Sequence, residues 1–146
     1  MQEGETGLAY AAMVELRPEL GPPEAFVRQV DERQRPEGYR LAAAFDDDDD
    51  DDGGGGSVAS VAGFRTGHSL SRGRYLFVDD LVTRSDRRGL GHGKALLDWL
   101  RREADHLGCD EVHLDSGTQR HGAHRFYLRE GFAISSFHFC VPVASS

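Results

Sequence analysis

The chain has 146 residues, 38% of them hydrophobic, which suits one domain with a packed core and excludes a disordered chain. The formal charge of −8 is concentrated: of 25 acids, seven lie at Asp46–Asp52, leaving 18 against 17 bases, so no basic face for nucleic acid is expected. No apolar run reaches the length of a membrane span, and the polar start MQEGETG is no signal peptide. Cys109 and Cys140 lie in no metal-ligand or redox spacing, so the expectation is a cytoplasmic protein with reduced thiols.

Leu8, Ala12, Met13 and Leu16 recur at helical spacing, and Pro18 limits that first helix. GPPEAFVRQVDERQRPEG reads as a second helix, with Pro23 in its first turn, Phe26, Val27 and Val30 as its buried stripe, and Pro36 and Gly38 as its end. YRLAAAF alternates Tyr39, Leu41, Ala43 and Phe45 on one face, a strand pattern, and SVASVAGFR is a second strand. Between them, DDDDDDDGGGG reads as an oversized, disordered hairpin loop at 46–56, because like charges repel and glycines add freedom. A cation loop needs mixed ligands around a fixed turn, and neither flank is large enough for this run to be a domain boundary.

RYLFVDDLVT is apolar on both faces, the mark of a central strand. From Gly93 the positions Leu97, Leu100, Ala104 and Leu107 make a helical stripe that Gly108 is placed to cap. DEVHLDSG is a short strand, HGAHRFYLREGF a short helix ending at Gly131, and AISSFHFCVPV one or two final strands. The fold class is therefore α/β, with a mixed sheet in a single domain spanning residues 1–146.

Glycines crowd the start of the long helix in RRGLGHGKALL. A triphosphate P-loop fails there: Arg88 stands where its first glycine belongs, and Ala95 follows Lys94. A dinucleotide fingerprint fails too, because Lys94 occupies its third glycine position. The pattern Arg, two residues, Gly, one residue, Gly does fit, at Arg88, Gly91 and Gly93. Helix N-terminal amides, the helix dipole and missing Cβ atoms favour an anion, and Arg87, Arg88 and Lys94 add positive charge. A turn that merely allows a tight connection reads equally well from this stretch alone.

VDDLVTRSDRRGLGHGKALLDWL, then VHLDSG, then AHRFYLREGF resembles the GNAT superfamily of N-acetyltransferases, well from Tyr39 onward and more loosely before it. The resemblance implies a GNAT-like fold whose central strand splays from the next strand, and transfer of acetyl from acetyl-CoA to a primary amine by direct attack. It implies that the stretch Arg87, Arg88, Gly89, Leu90, Gly91, His92, Gly93 and Lys94 holds the CoA pyrophosphate. Leu81, Val82 and Thr83 would pair with the pantetheine arm. Asp79 or Asp80 would relay the amine's proton, with Asp79 favoured by alignment. Strand alternation predicts that only one of the two reaches the acceptor. Tyr127 matches the family's acid for the leaving thiolate, with aromatic packing beside Phe126 as the competing reading. Ser116 bonds CoA or caps a helix, and His124 lies on the substrate side.

His113, His121 and His124 lack convincing metal spacing and the reaction needs no metal; neither cysteine is placed as a nucleophile. The rival reading is a CoA-binding regulatory or interaction module without turnover. The acceptor, small molecule or protein, is not legible; polyamines, aminoglycoside-like compounds, amino acids and protein amines stay open, and neither nucleic acid nor membrane is expected. Family members begin with a strand before the first helix, and none is legible here. Either it lies upstream or the sheet lacks it, and the bare edge then calls for a homodimer or another cover.

Overall fold

The computed structural model describes residues 1–46 and 56–144, so most of the expected acidic loop lies outside the described residues. Two compact units divide the chain, Met1–Leu114 and Asp115–Ser146. No helix among the described residues is long and apolar enough to cross a membrane.

In the first unit a 3-10 turn, Glu3–Ala9, leads into helix α1, Tyr10–Leu16. The stripe that packs is Ala9, Ala12 and Met13; Leu8, read as part of it, is exposed, because the turn before Tyr10 is wound more tightly than an α-helix. Helix α2, Pro23–Gln29, widens into a π-turn at Val30–Gln34 and closes in a 3-10 turn at Arg35–Glu37, where Pro36 has no N–H to give and Gly38 takes a left-handed φ of 100°. The helical stretch thus ends at Gly38 as the sequence predicts, but only Pro23–Gln29 of it is α-helical. Buried Thr6 ties the two helical segments together: its hydroxyl donates to Asp31 at 2.6 Å, and Arg35 donates to both Asp31 (2.8 Å) and Thr6 (2.9 Å).

Strands β1 (Arg40–Asp46), β2 (Ser57–Ser69) and β3 (Gly73–Thr83) run antiparallel in sequence order, and β4 (Glu111–Leu114) joins β3 in parallel. No strand precedes α1, and β1 is an edge of the sheet. One face is covered by Ala12, Met13, Phe26 and Val30, which pack on Leu41, Val61 and Val82. Helix α3, His92–His106, covers the other face through Leu96, Leu97, Leu100 and Ala104; Trp99 meets Phe64 edge-on at 5.9 Å. Two-sided burial explains why β2 and β3 read as apolar runs. Gly108, at φ 73°, follows the end of α3.

The β2–β3 ladder carries a bulge. Gly63 pairs with Asp80 and Phe64 with Val78, so Asp79 is the extra residue. Gly63 is required for a second reason: a Cβ there would collide with the Tyr39 ring and hydroxyl, which lie directly over it.

The second unit contains helix α4, His121–Arg129, closed by Gly131 at φ 94° and by a bond from Phe132 N–H to Tyr127 C=O at 3.0 Å. The expected final strands do not form: residues 133–144 have no regular structure and are exposed. A strand exists only as a member of a pair, and the described residues of this unit hold no second strand.

Gly63→Ala is expected to lower stability by about 1–3 kcal/mol, the usual cost of overpacking, because the Tyr39 ring must move. Urea denaturation of the variant beside the parent measures it.

Candidate functional site

The bulge decides where two carboxylates point. Gly63 and Arg65 are two residues apart on β2 and so share a face. The Asp79 carboxylate accepts from Arg65 Nε at 2.9 Å, and the Asp80 carboxylate accepts from the Tyr39 hydroxyl, above Gly63, at 2.8 Å. Both acids therefore lie on the face that carries α1, and the expectation that alternation separates them is overturned by the extra residue. Arg17, at the end of α1, bridges them, at 3.0 Å from Asp80 Oδ1 and donating to the Asp79 carbonyl at 3.2 Å.

Burial pushes the Asp79 carboxyl above its ordinary value, and the Arg65 guanidinium opposes this. The Tyr39 phenol is driven well up, by burial first and by the Asp80 charge next, so it stays a hydrogen-bond donor. The cluster thus holds two carboxylates, two guanidiniums and a neutral phenol.

The second component is an open backbone. Strand β4 pairs with β3 only along Tyr75–Val78. From Asp79 to Thr83, β3 is bonded to β2 on one side, and among the described residues no strand takes the other. Leu81, Val82 and Thr83 occupy this free edge. Ser60 firms its far side, its hydroxyl donating to the Val82 carbonyl at 3.0 Å.

The third component is the glycine turn. Gly89 (φ 80°) and Gly91 (φ 85°) adopt left-handed backbone with open space where side chains would stand. The first α-helical bond of α3 runs from Ala95 N–H to Gly91 C=O at 3.0 Å, so the amides of His92 and Gly93 belong to the open N-terminal turn. That geometry fits an anion carried on an extended chain along β3. Arg87 and Lys94, read as part of the cradle's positive charge, are committed elsewhere: Arg87 to Asp46 at 2.7 Å and to Asp86, Lys94 to Asp98 at 3.1 Å. Arg88 and Leu90 are exposed, and Arg88 forms no ion pair among the described residues. Asp46, read as the start of a disordered loop, instead ends β1 and is buried, because Arg87 and His92 (3.7 Å) face it.

In the second unit Tyr127 packs against Phe126 and Phe132, with ring centres 5.5 and 5.8 Å away. Burial raises its phenol above the ordinary value, against the pull of Arg120, so it remains protonated. His124 meets the Gly117 carbonyl through Nε2 at 2.7 Å. The Ser116 hydroxyl is buried and has no partner among the described residues, which leaves it available to a ligand.

Tyr39, Arg17 and Arg65 escaped the sequence reading. Tyr39 was legible only as one member of a strand face. The available signal was Gly63 in the middle of an apolar strand, which marks a close approach of another group.

The Acetyltransferase (GNAT) family model matches residues 9–132. Over 136 residues the chain is 35% identical to the uncharacterized N-acetyltransferase YhdJ of Bacillus subtilis, across 92% of this chain and 89% of that protein. A 62-residue stretch is 40% identical to the aminoalkylphosphonate N-acetyltransferase of Salmonella typhimurium, covering 42% of this chain and 40% of that protein. The fold resembles that of the aminoglycoside N-acetyltransferase AAC(6')-Iy in complex with CoA, with a TM-score of 0.81 at 16% identity over 97% of this chain and 90% of that one.

Removing Asp46 leaves the Arg87 guanidinium at the turn without its nearest anion. Asp46→Ala is expected to cost about 3 kcal/mol, near the lower end for breaking a buried pair. It should also speed amide exchange at Gly89–Gly93; denaturation and hydrogen exchange read the two effects.

Proposed function

The chain belongs to the GNAT acetyltransferase family and is an acetyl-CoA-dependent N-acetyltransferase, and within that activity we propose that a primary amine attacks the thioester directly, between the Asp79–Asp80 pair and the open edge of β3. The observation that carries this is the β3 edge left free from Asp79 to Thr83, which leads from the carboxylates toward the glycine turn. A pantetheine arm is itself an amide chain and bonds such an edge as an added strand does. The amides from Arg88 to Lys94 hold the pyrophosphate, Arg88 supplies the side-chain cation, and Arg87 holds the turn through Asp46.

An amine attacks only when neutral, so its proton must leave. Asp79, whose pKa is raised by burial, takes it through water. Asp80 keeps Tyr39 and Arg17 in place. Positive charge that builds on the attacking nitrogen faces the two acids, and a β3 amide near Val82 donates to the thioester oxygen as it gains negative charge. The Tyr127 phenol, still protonated at neutral pH, donates to the departing thiolate, and Ser116 contacts the bound CoA.

Each acid already faces a guanidinium, so the cluster's formal charge is zero. A purely cationic acceptor gains little there. An amine that also carries an anion finds both partners, and the aminoalkylphosphonate enzyme among the relatives is named for such a substrate. Thiol release with a panel of aminoalkylphosphonates, α-amino acids, aminoglycosides and polyamines tests this. The zwitterions should turn over at least 10-fold faster in kcat/KM; a preference for polyamines refutes the assignment, and binding of acetyl-CoA without release for any amine indicates a module without turnover.

Two substitutions separate binding from chemistry. Asp and Asn both tolerate left-handed backbone, so Gly91→Asp and Gly91→Asn differ chiefly in charge. The Asp variant should bind acetyl-CoA at least 10-fold more weakly than the Asn variant by calorimetry. Tyr127→Phe should lower kcat about 10²-fold, within the usual range for a proton donor, with acetyl-CoA affinity unchanged.

A further inference from the structure

Gly63, Arg65 and Gly67 alternate along β2 and share the face toward α1, and each glycine lies under a tyrosine. Tyr39 covers Gly63. Tyr75 covers Gly67, where a Cβ would come within 2.7 Å of the phenol oxygen. Arg65 therefore stands between two seated rings. Its guanidinium also lies over Phe77, its cross-strand partner on β3, at 5.1 Å from the ring centre. His113 on β4 meets Tyr75 edge-on at 6.0 Å.

The two arginines of the carboxylate cluster differ in the donors they leave open. Arg17 engages two of its three nitrogens. Its Nε donates to Asp80 Oδ1 at 3.1 Å, and its Nη2 lies 3.0 Å from that oxygen and donates to the Asp79 carbonyl at 3.2 Å. Arg65 engages Nε alone, donating to the Asp79 carboxylate. Its Nη1 and Nη2 have no partner among the described residues, and its side chain is 46% exposed. The Tyr75 hydroxyl is close enough to act electrostatically on Arg65 and forms no hydrogen bond among the described residues. The two Nη groups of a guanidinium make a planar fork that matches a carboxylate or a phosphonate. Asp79 at Nε and the Phe77 ring fix where this fork points.

We propose that Arg65 selects the acceptor by its anion: Nη1 and Nη2, with the Tyr75 hydroxyl, bind the carboxylate or phosphonate of a short amino acid or aminoalkylphosphonate whose amine stands at Asp79. This rests on the attack beside Asp79 proposed above. Arg65 and Asp79 are bonded neighbours, so the amine and the anion they receive must lie close together in the acceptor. A compact zwitterion sets its cation against the acids and its anion against the fork. A polyamine has nothing to offer the fork.

Glycine beside glycinamide, and aminomethylphosphonate beside methylamine, differ in the anion. The parent should prefer the anionic member of at least one pair by about 10-fold or more in kcat/KM, and the pair that shows it tells carboxylate from phosphonate. Loss of Arg65 also alters Asp79, and with it proton removal from every acceptor, so the ratio within a pair is the readout. Arg65→Gln should lower that ratio at least about 10-fold. Arg65→Lys keeps the charge without the fork and should lower it part of the way, which also serves if the Gln variant does not fold. Arg17→Gln should slow both members alike and keep the ratio. A selective parent whose ratio survives loss of Arg65 in a chain folded by circular dichroism overturns the role of Arg65 and leaves the zwitterion preference standing. A parent without preference overturns both. If no amine is turned over, the attack beside Asp79 fails, and methylphosphonate, the anion without the amine, decides on the subsite. Binding to the CoA-loaded chain in a phosphorus NMR titration, weakened at least about 10-fold by Arg65→Gln, supports it; equal binding or none overturns it.

Discussion

Backbone amides and carbonyls that a sheet leaves unpaired must find partners, and this requirement organises the molecule. Strand β3 has eleven residues and its parallel neighbour β4 has four, so β4 stops opposite Val78 and five residues of β3 continue alone. In most proteins such an edge is a liability. Here it points toward the start of α3, whose two left-handed glycines leave the helix terminus clear. The reading proposed above has one extended ligand, amide-bearing along its length and anionic at its end, meet both surfaces. The fold positions them without any catalytic side chain.

The bulge at Asp79 shapes the same strand a few residues earlier. It breaks the two-residue period at one point and so turns both carboxylates to one face. Burial first, and the Asp80 charge with it, raise the Asp79 pKa, and the Arg65 and Arg17 guanidiniums oppose them. Tyr39 anchors the arrangement because Gly63 leaves room for its ring. Remodelling of this cluster shifts its charge balance.

Periodicity pointed to the first three strands and the long helix, because those elements repeat one local rule over many residues. It failed where a single residue breaks the rule. Asp79 is invisible as a bulge when alternation is assumed. Leu8 fits a helical stripe in sequence but sits on a tighter turn. Asp46 belongs by composition to the acidic run, yet the Arg87 charge draws it into the structure. The segment after Gly131 has genuine strand periodicity, but the neighbour that makes a strand is a tertiary fact. Of the site, the glycine turn was legible because it is contiguous. Tyr39, Arg17 and Arg65 were not, because they meet the acids only after distant elements fold together.

The contact between Tyr39 and Gly63 reaches beyond this chain. Positions 39, 63 and 80 share one small volume and one hydrogen bond, so they are not free to drift separately. A larger residue at 63 excludes an aromatic ring at 39, and Asp80 then loses the hydroxyl that holds it. Substitutions at these positions are coupled, with effects that do not add. Among descendants of a common ancestor the three should therefore change as a set, and a lineage that replaces Gly63 marks a branch where this cluster was rebuilt.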